Sequence, residues 1–323
     1  MTELVTFGET ALRLSPPQHA RLETADQLNV WATGAASNVA VTASRLGTES
    51  TWTSKLADTP LGRRAVSELR GHGLTTDVTW VDAADARQGL TFYEPGSTPR
   101  ASYTLDDRDG TAIETAEPGE LPMEAVQNAD SVFVSGETVA LSDTVEATAQ
   151  AVLRATGGTA VLGLDYRSDL WAASEARETL TDLFPAVDVL VTNEAEANTV
   201  LKTTGEGPQM AHQIASEYDF ETVIITQSEH GALVWHNSTI HESDAVETTA
   251  VEPTGEHDAF TGAFLSRRLA GDSIGDALAY GVAAAALTRT IAGPVPTVNP
   301  DEVERIVEEL NGGNSGSSGG GLR

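Results

Sequence analysis

Short runs of consecutive apolar residues alternate along this chain with longer stretches whose apolar positions recur at helical spacing. A short run bounded by turn residues is a buried strand, and a recurrence near 3.6 residues is a helix. "LVTFGE" (4–9) reads as a buried strand, and "AASNVAVTASRLG" (35–47) as a helix that ends at Gly47. "STWTSKLA" follows as a strand. "PLGRRAVSELRGHG" then reads as a helix, with Pro near its start and Gly after its end. The rhythm continues through "SVFVSG", "VEATAQAVLRATGG", "AVLGLDY", "VDVLVTN", "AHQIASEYDF", "TVIITQ" and "GALVWH". Strand–helix–strand repetition predicts parallel strands joined by crossover helices, hence a three-layer α/β/α domain.

Two regions break the rhythm. "ALRLSPP" with "LNVWATG", and "GLTFYEPG" with "ASYTLDD", alternate with period two between Pro, Gly and Ser turns, which is the pattern of hairpins. They predict a small sheet, built from about residues 10–33 and 88–108, that protrudes from the main domain and covers a site. Its exposed edge would suit pairing with a second copy of the chain. The Gly/Ser-rich stretch 311–323 reads as a flexible tail, which leaves 1–310 as the folded domain.

Composition narrows the functions. Of 323 residues 40% are hydrophobic, enough for a core, and cysteine is absent, which excludes disulfides, cysteine-ligated zinc and thiol catalysis. Forty-eight acids against 19 bases give a net charge of −29, and Lys55 and Lys202 are the only lysines. That balance argues against nucleic acid and anionic membrane as partners, since both need a basic footprint. It resembles the cytosolic proteins of extreme halophiles, in which molar salt screens repulsion to about 3 Å. The first residues lack the basic-then-apolar order of a secretory signal, and "DALAYGVAAAALTRTIAG" is too short and mixed to span a bilayer. The expected location is the cytoplasm.

The segment with the clearest chemistry is "EPTGEHDAFTGAF" (252–264). Thr254-Gly255 makes a turn and a small, apolar helix follows. Free N–H groups and the dipole at a helix N-terminus attract phosphate. Asp258, in that first turn, is placed to accept the proton of an attacking hydroxyl. As a residue alone it reads equally as an acid that complements the dipole.

"GAASNVAVTASRLG", "LADTPLGRR", "TNEAEA", "ITQSEHGALV" and "EPTGEHDAFTGAF" occur in the order found in ribokinase-like (PfkB) sugar kinases, and the resemblance covers roughly residues 3–309. It implies a ribokinase-like α/β core with a β-sheet lid, ATP as co-substrate and magnesium as cofactor. "VSGETVALSDT" and "LDYRSDLWAASEARETL" are most similar to the 2-keto-3-deoxygluconate kinase branch, which reads SGI-T-ALS and D-N-x-R-x-x-LW. In that branch two arginines grip the sugar-acid carboxylate; here they would be Arg108 and Arg167. Arginine suits the task as a bidentate, permanently charged donor. Gly34 and Asn38 match the substrate-binding G-x-x-x-N. The resemblance makes Asp258 the general base and Glu196, with Asn193, the residue that orders magnesium near the phosphates. Asp165, Thr226, Ser228, Gly231, Gly255, Glu256 and His257 fall on its nucleotide and anion-hole side.

The departures are specific. The family's T-G-A-G-D is Thr254-Gly255-Glu256-His257-Asp258, and the first glycine of the nucleotide loop is Ser228. Thr33 precedes Gly34 where Gly-Gly is usual, and Glu252 replaces an Asp. Two lid tyrosines of the branch are Thr91 and Asp106. Glu256 adds an anion beside ATP, and the His257 side chain either clears the cleft or fills it, so the expected phosphate cradle is compromised. Three activities follow: a sugar-acid kinase making the 6-phosphate of 2-keto-3-deoxygluconate, a fructokinase-like kinase of a neutral sugar, or a pseudokinase that binds without turnover.

Overall fold

The computed structural model describes residues 2–18, 20–227 and 231–314. Its strands are β1 (Leu4–Phe7), β2 (Ala11–Ser15), β3 (Asn29–Thr33), β4 (Ser50–Ala57), β5 (Thr75–Val81), β6 (Leu90–Glu94), β7 (Tyr103–Asp107), β8 (Ser131–Ser135), β9 (Thr159–Gly163), β10 (Val189–Asn193), β11 (Thr222–Thr226), β12 (Ala232–His236) and β13 (Thr239–Ser243). Nine of them form one sheet in the order β13-β12-β11-β10-β9-β8-β1-β4-β5. The seven from β5 to β11 run parallel, as the strand–helix rhythm predicts.

The last two strands depart from the expectation. β12 runs antiparallel to β11, and β13 antiparallel to β12. The reason is chain length. Only residues 227–231 separate β11 from β12, far short of the dozen or more that a parallel crossover needs.

Helices cover both faces of the sheet, which is why the strands read as unbroken apolar runs. Successive residues serve opposite cores: Val132 and Val134 pack into one layer with Leu162 and Leu190, and Phe133 between them packs into the other with Trp52 and Val161. In that second layer the helix Glu256–Leu269 lies against the helices Ala35–Arg45 and Ile274–Arg289. Close packing accounts for its small residues. A Cβ on Gly262 would stand 2.5 Å from the carbonyl oxygen of Val39. The alanine-rich stretch is the helix Ile274–Arg289, and no helix of the described residues is long and apolar enough to cross a membrane.

The expected hairpins form a separate four-stranded sheet in the order β3-β2-β6-β7. β2 pairs antiparallel with β3, β6 antiparallel with β7, and the two hairpins join through parallel β2 and β6. The last helix, Pro300–Asn314, runs past the expected end of the folded domain at residue 310.

Candidate active site

The carboxyl ends of parallel strands are where open α/β sheets bind ligands. Here those ends carry Glu9 after β1, Glu137 after β8, Asp165 after β9, Asn193 closing β10 and Thr226 closing β11. The helix Glu256–Leu269 aims its N-terminus at the same edge. Gly255 caps it with φ 84°, a left-handed conformation, and a Cβ there would sit 2.3 Å from the carbonyl oxygen of Pro294. Glycine is therefore required at this position on both counts.

Gly34 has a different reason. Its φ is 179°, ordinary extended backbone, but a Cβ would stand 2.2 Å from the carbonyl oxygen of Glu9. It holds the end of the lid strand β3 against the chain that follows β1, and it also lines the larger of the two cavities at this edge.

The first turn of the helix separates two cavities. One, of about 470 Å³, is lined by Gly34, Asn38, Arg108, Arg167 and Asp258, which brings together every residue assigned to the substrate. The other, of about 310 Å³, is lined by Asn193, Thr226, Gly231, Glu256 and His257, with an apolar wall from Phe260, Val282 and Ala286. Ser228 lies outside the described residues.

Asp258 accepts a 2.7 Å hydrogen bond from Asn38 Nδ2, which also donates to Pro294 O at 3.2 Å. Burial pushes the Asp258 carboxyl up to about 7; the Asn38 bond opposes this, and the charges of Glu137 and Glu196 add to it. A carboxyl group near neutrality is suited to proton abstraction at physiological pH.

In the same cavity as Asp258 the two arginines converge on Glu137. Arg108 lies 2.8 Å from both Glu9 Oε2 and Glu137 Oε1. Arg167 reaches Glu137 Oε1 at 3.3 Å, Asp106 Oδ2 at 2.8 Å and Asp169 Oδ2 at 2.7 Å. Burial raises Glu9 to about 7, against the pull of Arg108. Burial also pushes Glu137 upward, but Arg108 and Arg167 together hold it below its ordinary value. Arg108 Nε is buried without a hydrogen-bond partner among the described residues.

On the nucleotide side, Asn193 and Glu196 form a capping box. Asn193 Oδ1 accepts from the Glu196 N–H at 2.8 Å, and Glu196 Oε2 faces the Asn193 N–H and the Thr192 hydroxyl at 3.4 Å. Burial lifts Glu196 to about 7 despite these bonds. Asp165 has φ 39°, is likewise raised by burial, with Glu196 and Asp258 adding to the effect, and leaves Oδ2 unpartnered. Two buried carboxylates with no cationic side chain beside them among the described residues suit a magnesium ion held by one or two carboxylates and water. No cluster of three or more His, Cys, Asp or Glu donors exists among the described residues.

The two substitutions in the phosphate cradle have partners. Glu256 Oε2 lies 3.2 Å from Arg289 Nε, so its charge is met inside the same cavity. Burial raises its carboxyl and Arg289 opposes the shift. The His257 ring does enter the cleft. Its Nδ1 is 3.2 Å from the Thr226 hydroxyl, and its Nε2 lies 3.6 Å from Asp165 Oδ1 without a hydrogen-bond partner. Burial lowers it to about 4, so the ring is neutral at pH 7.

Sequence reasoning missed Arg13, Glu137 and Arg289. Arg13 carried no clear signal: Leu12 and Leu14 take the apolar phase of ALRLS, which leaves Arg13 in the polar phase, where a charged residue is ordinary. Glu137 carried one, an acid where the branch motif SGI-T-ALS has isoleucine, and Arg289 carried none, because its partner Glu256 is far away in the chain.

A buried carboxyl at a helix N-terminus, between an apolar-walled cavity and a polar one, is the arrangement of a small-molecule kinase. The chain belongs to the pfkB family of carbohydrate kinases: the pattern of the pfkB family carbohydrate kinase matches residues 1–301. It is a sugar kinase, and kinases of this class use ATP. It is 49% identical over 317 residues to the 2-dehydro-3-deoxygalactonokinase of Haloferax volcanii, covering 97% of this chain and 98% of that one. It is 28% identical to the 2-dehydro-3-deoxygluconokinase of Thermoproteus tenax, over 96% of this chain and 95% of that one. The crystal structure of the 2-dehydro-3-deoxygluconokinase of Thermotoga maritima superposes with a TM-score of 0.89 at 30% identity, covering 95% of this chain and all of that one.

Proposed function

We propose that the protein transfers the γ-phosphoryl group of ATP to the terminal hydroxyl of a six-carbon 2-keto-3-deoxy sugar acid, making the 6-phosphate. The observation that carries this reading is the convergence of Arg108 and Arg167 on Glu137 in the same cavity that Asp258 lines. A carboxylate held there leaves the other end of a six-carbon chain directed toward the base. The names of the relatives in Haloferax volcanii and Thermotoga maritima support the same class, in the galactonate and gluconate series respectively.

In this mechanism Asp258 takes the proton of the terminal hydroxyl as the oxygen attacks. The N–H groups of residues 255–258 face the transferring phosphoryl, where preorganised donors stabilise developing charge. Glu196, with Asn193 and Asp165 nearby, would hold magnesium, which neutralises phosphate charge when bound. Phe260, Val282 and Ala286 offer an apolar wall to the adenine base. The lid carries Arg108 at its edge and excludes water, so ATP is not wasted on hydrolysis. Exposed Tyr103 and Leu105 on β7 suit pairing of two lids into a dimer, and the protein works in the cytoplasm of a halophile.

One observation favours a neutral-sugar kinase instead: both arginines are already met by acids in the free protein. A coupled assay in about 2 M KCl, with the salt chosen for screening, separates the readings. Turnover on 2-keto-3-deoxygalactonate or 2-keto-3-deoxygluconate, with Arg167→Lys raising KM roughly 10- to 100-fold through loss of the planar fork, is expected. Faster turnover on fructose overturns the proposal. ATP-independent binding of a sugar acid with no turnover points to a pseudokinase.

A further inference from the structure

The register of the lid sheet places Trp31, Arg13, Thr91 and Asp106 opposite one another in a single row across its four strands. Residues paired in this way project from the same face, and here that face roofs the substrate cavity. Thr91 and Asp106 are spent on each other, the threonine hydroxyl donating to Asp106 Oδ1 at 2.6 Å. Asp106 also ties down Arg167. Arg13 is the member of the row with a buried donor that has no partner among the described residues.

Its guanidinium is held on three sides. Nη2 is ion-paired with Glu252, Nε donates to Ser15 Oγ at 3.3 Å, and the plane lies 3.8 Å from the centroid of the Tyr93 ring. Glu252 is itself fixed, accepting from the Gly293 N–H at 3.1 Å. Nη1 has no hydrogen-bond partner among the described residues, although the side chain is only 4% exposed and lines the substrate cavity. A guanidinium cannot shed its proton to escape this position, and a buried donor left unmade is costly. The missing acceptor has to come from what fills the cavity.

The chemistry of the proposed substrate says which acceptor it is; this step rests on the reading in the preceding section. In a 2-keto-3-deoxy acid, C1 is the carboxylate directed at Arg108 and Arg167, and C6 carries the hydroxyl directed at Asp258. C3 bears no oxygen. The hydroxyl nearest the middle of the chain, under the lid, is the one on C4. We infer that Arg13 is a specificity-determining residue that donates from Nη1 to the C4 hydroxyl of the sugar acid. C4 is the carbon at which the galactonate and gluconate series differ, so the same contact selects between the epimers.

The test compares the wild type with Arg13→Gln, Arg13→Lys and the double variant Arg13→Gln/Glu252→Gln, which leaves no carboxylate buried alone. Each is assayed with ATP on both 2-keto-3-deoxy epimers and on the 2-keto-3,4-dideoxy acid, which lacks the C4 hydroxyl. Arg13→Gln and the double variant are expected to lower kcat/KM on the preferred epimer roughly 10- to 100-fold, chiefly through KM, the scale of a lost charged hydrogen bond. They narrow the ratio between epimers and match the wild type on the dideoxy acid within about twofold. Lysine keeps the charge and a bond to Glu252 but lacks the second arm, so Arg13→Lys loses the hydroxyl-dependent part as well. Equal losses on the hydroxylated and dideoxy acids, or an Arg13→Lys enzyme equal to the wild type, overturn the inference by making Arg13 an anchor of the lid only. A wild type inactive on every sugar acid yet active on a neutral sugar overturns the functional reading itself, and the C4 assignment with it.

Discussion

Asn38 Nδ2 donates to Asp258 Oδ2 at 2.7 Å, from a helix 220 residues earlier in the chain, and this bond works against the burial that sets the range of the proposed base. Burial raises Asp258 to about 7 even with the bond in place. The pH profile of kcat/KM should therefore rise through about pH 7 as the carboxyl ionises. Asn38→Ala removes the stabilising donor and moves that rise to higher pH. Asp258→Asn lowers kcat by about 10²–10⁴ while nucleotide binding survives. A flat profile between pH 5 and 9, or an Asn38→Ala profile that moves to lower pH, would contradict the assignment.

The same burial costs stability, with a definite sign. The Asp258 pKa is about 7 in the folded protein and starts from a model-compound value of 3.8. Between those values the native state binds the proton and the unfolded chain has lost it, so stability falls as pH rises from about 4 to 7. Asp258→Asn abolishes that loss. It should stabilise the fold at pH 8 by an amount on the order of 2–4 kcal/mol, seen as a higher melting temperature, and leave stability nearly unchanged at pH 4. Paired melts of wild type and variant at the two pH values measure the difference, and an equal shift at both would refute the linkage.

His257 stands where the family has glycine, and sequence reading took the exchange as damage to the phosphate cradle. The contacts indicate a different outcome. In the tautomer in which the Thr226 hydroxyl donates to Nδ1, the ring proton lies on Nε2, which is buried without a hydrogen-bond partner among the described residues, on a ring that lines the nucleotide cavity. Such a donor suits a phosphate oxygen. His257→Ala is therefore expected to lower kcat on the order of tenfold, within the range of a lost transition-state donor. Steady-state kinetics at saturating ATP decide the point, because a rise in kcat would mean that the ring obstructs the phosphates.

Much of this architecture was legible because the physics is local. Buried parallel strands such as Val189–Asn193 appear as continuous apolar runs, and the lid strand Ala11–Ser15 alternates in sequence as ALRLS although both of its faces are covered. Strand direction was not legible from period. For β12 the short 227–231 connection carried that information. The arginines Arg108 and Arg167 were found through resemblance, but the acids that hold them, Glu9, Glu137, Asp106 and Asp169, were not. Contacts such as Arg108 to Glu137 form only when separate strand ends meet at one edge of the sheet. The steric reason for Gly34, a carbonyl oxygen of Glu9 at 2.2 Å from any Cβ, is likewise invisible until β1 and the start of the following helix are packed together.

Salt should be the strongest environmental lever on the fold. The chain carries a net charge of −29. Its internal ion pairs, such as Lys55 with Glu120 at 2.8 Å and Arg108 with Glu137, are largely buried on the basic side and are screened only weakly. Many other acids, among them Asp85, Glu178 and Glu302, are exposed, and between such charges repulsion reaches about 10 Å at 0.1 M salt and about 3 Å at 1 M. Raising salt therefore removes a destabilising term while leaving the internal pairs in place. The melting temperature should climb steadily from 0.1 M to 2 M KCl. NaCl at equal ionic strength should do nearly the same, because screening depends on charge and concentration. A melting temperature that stays constant over that range would remove the halophilic reading of the composition, and a fall would mean that surface ion pairs outweigh the repulsion.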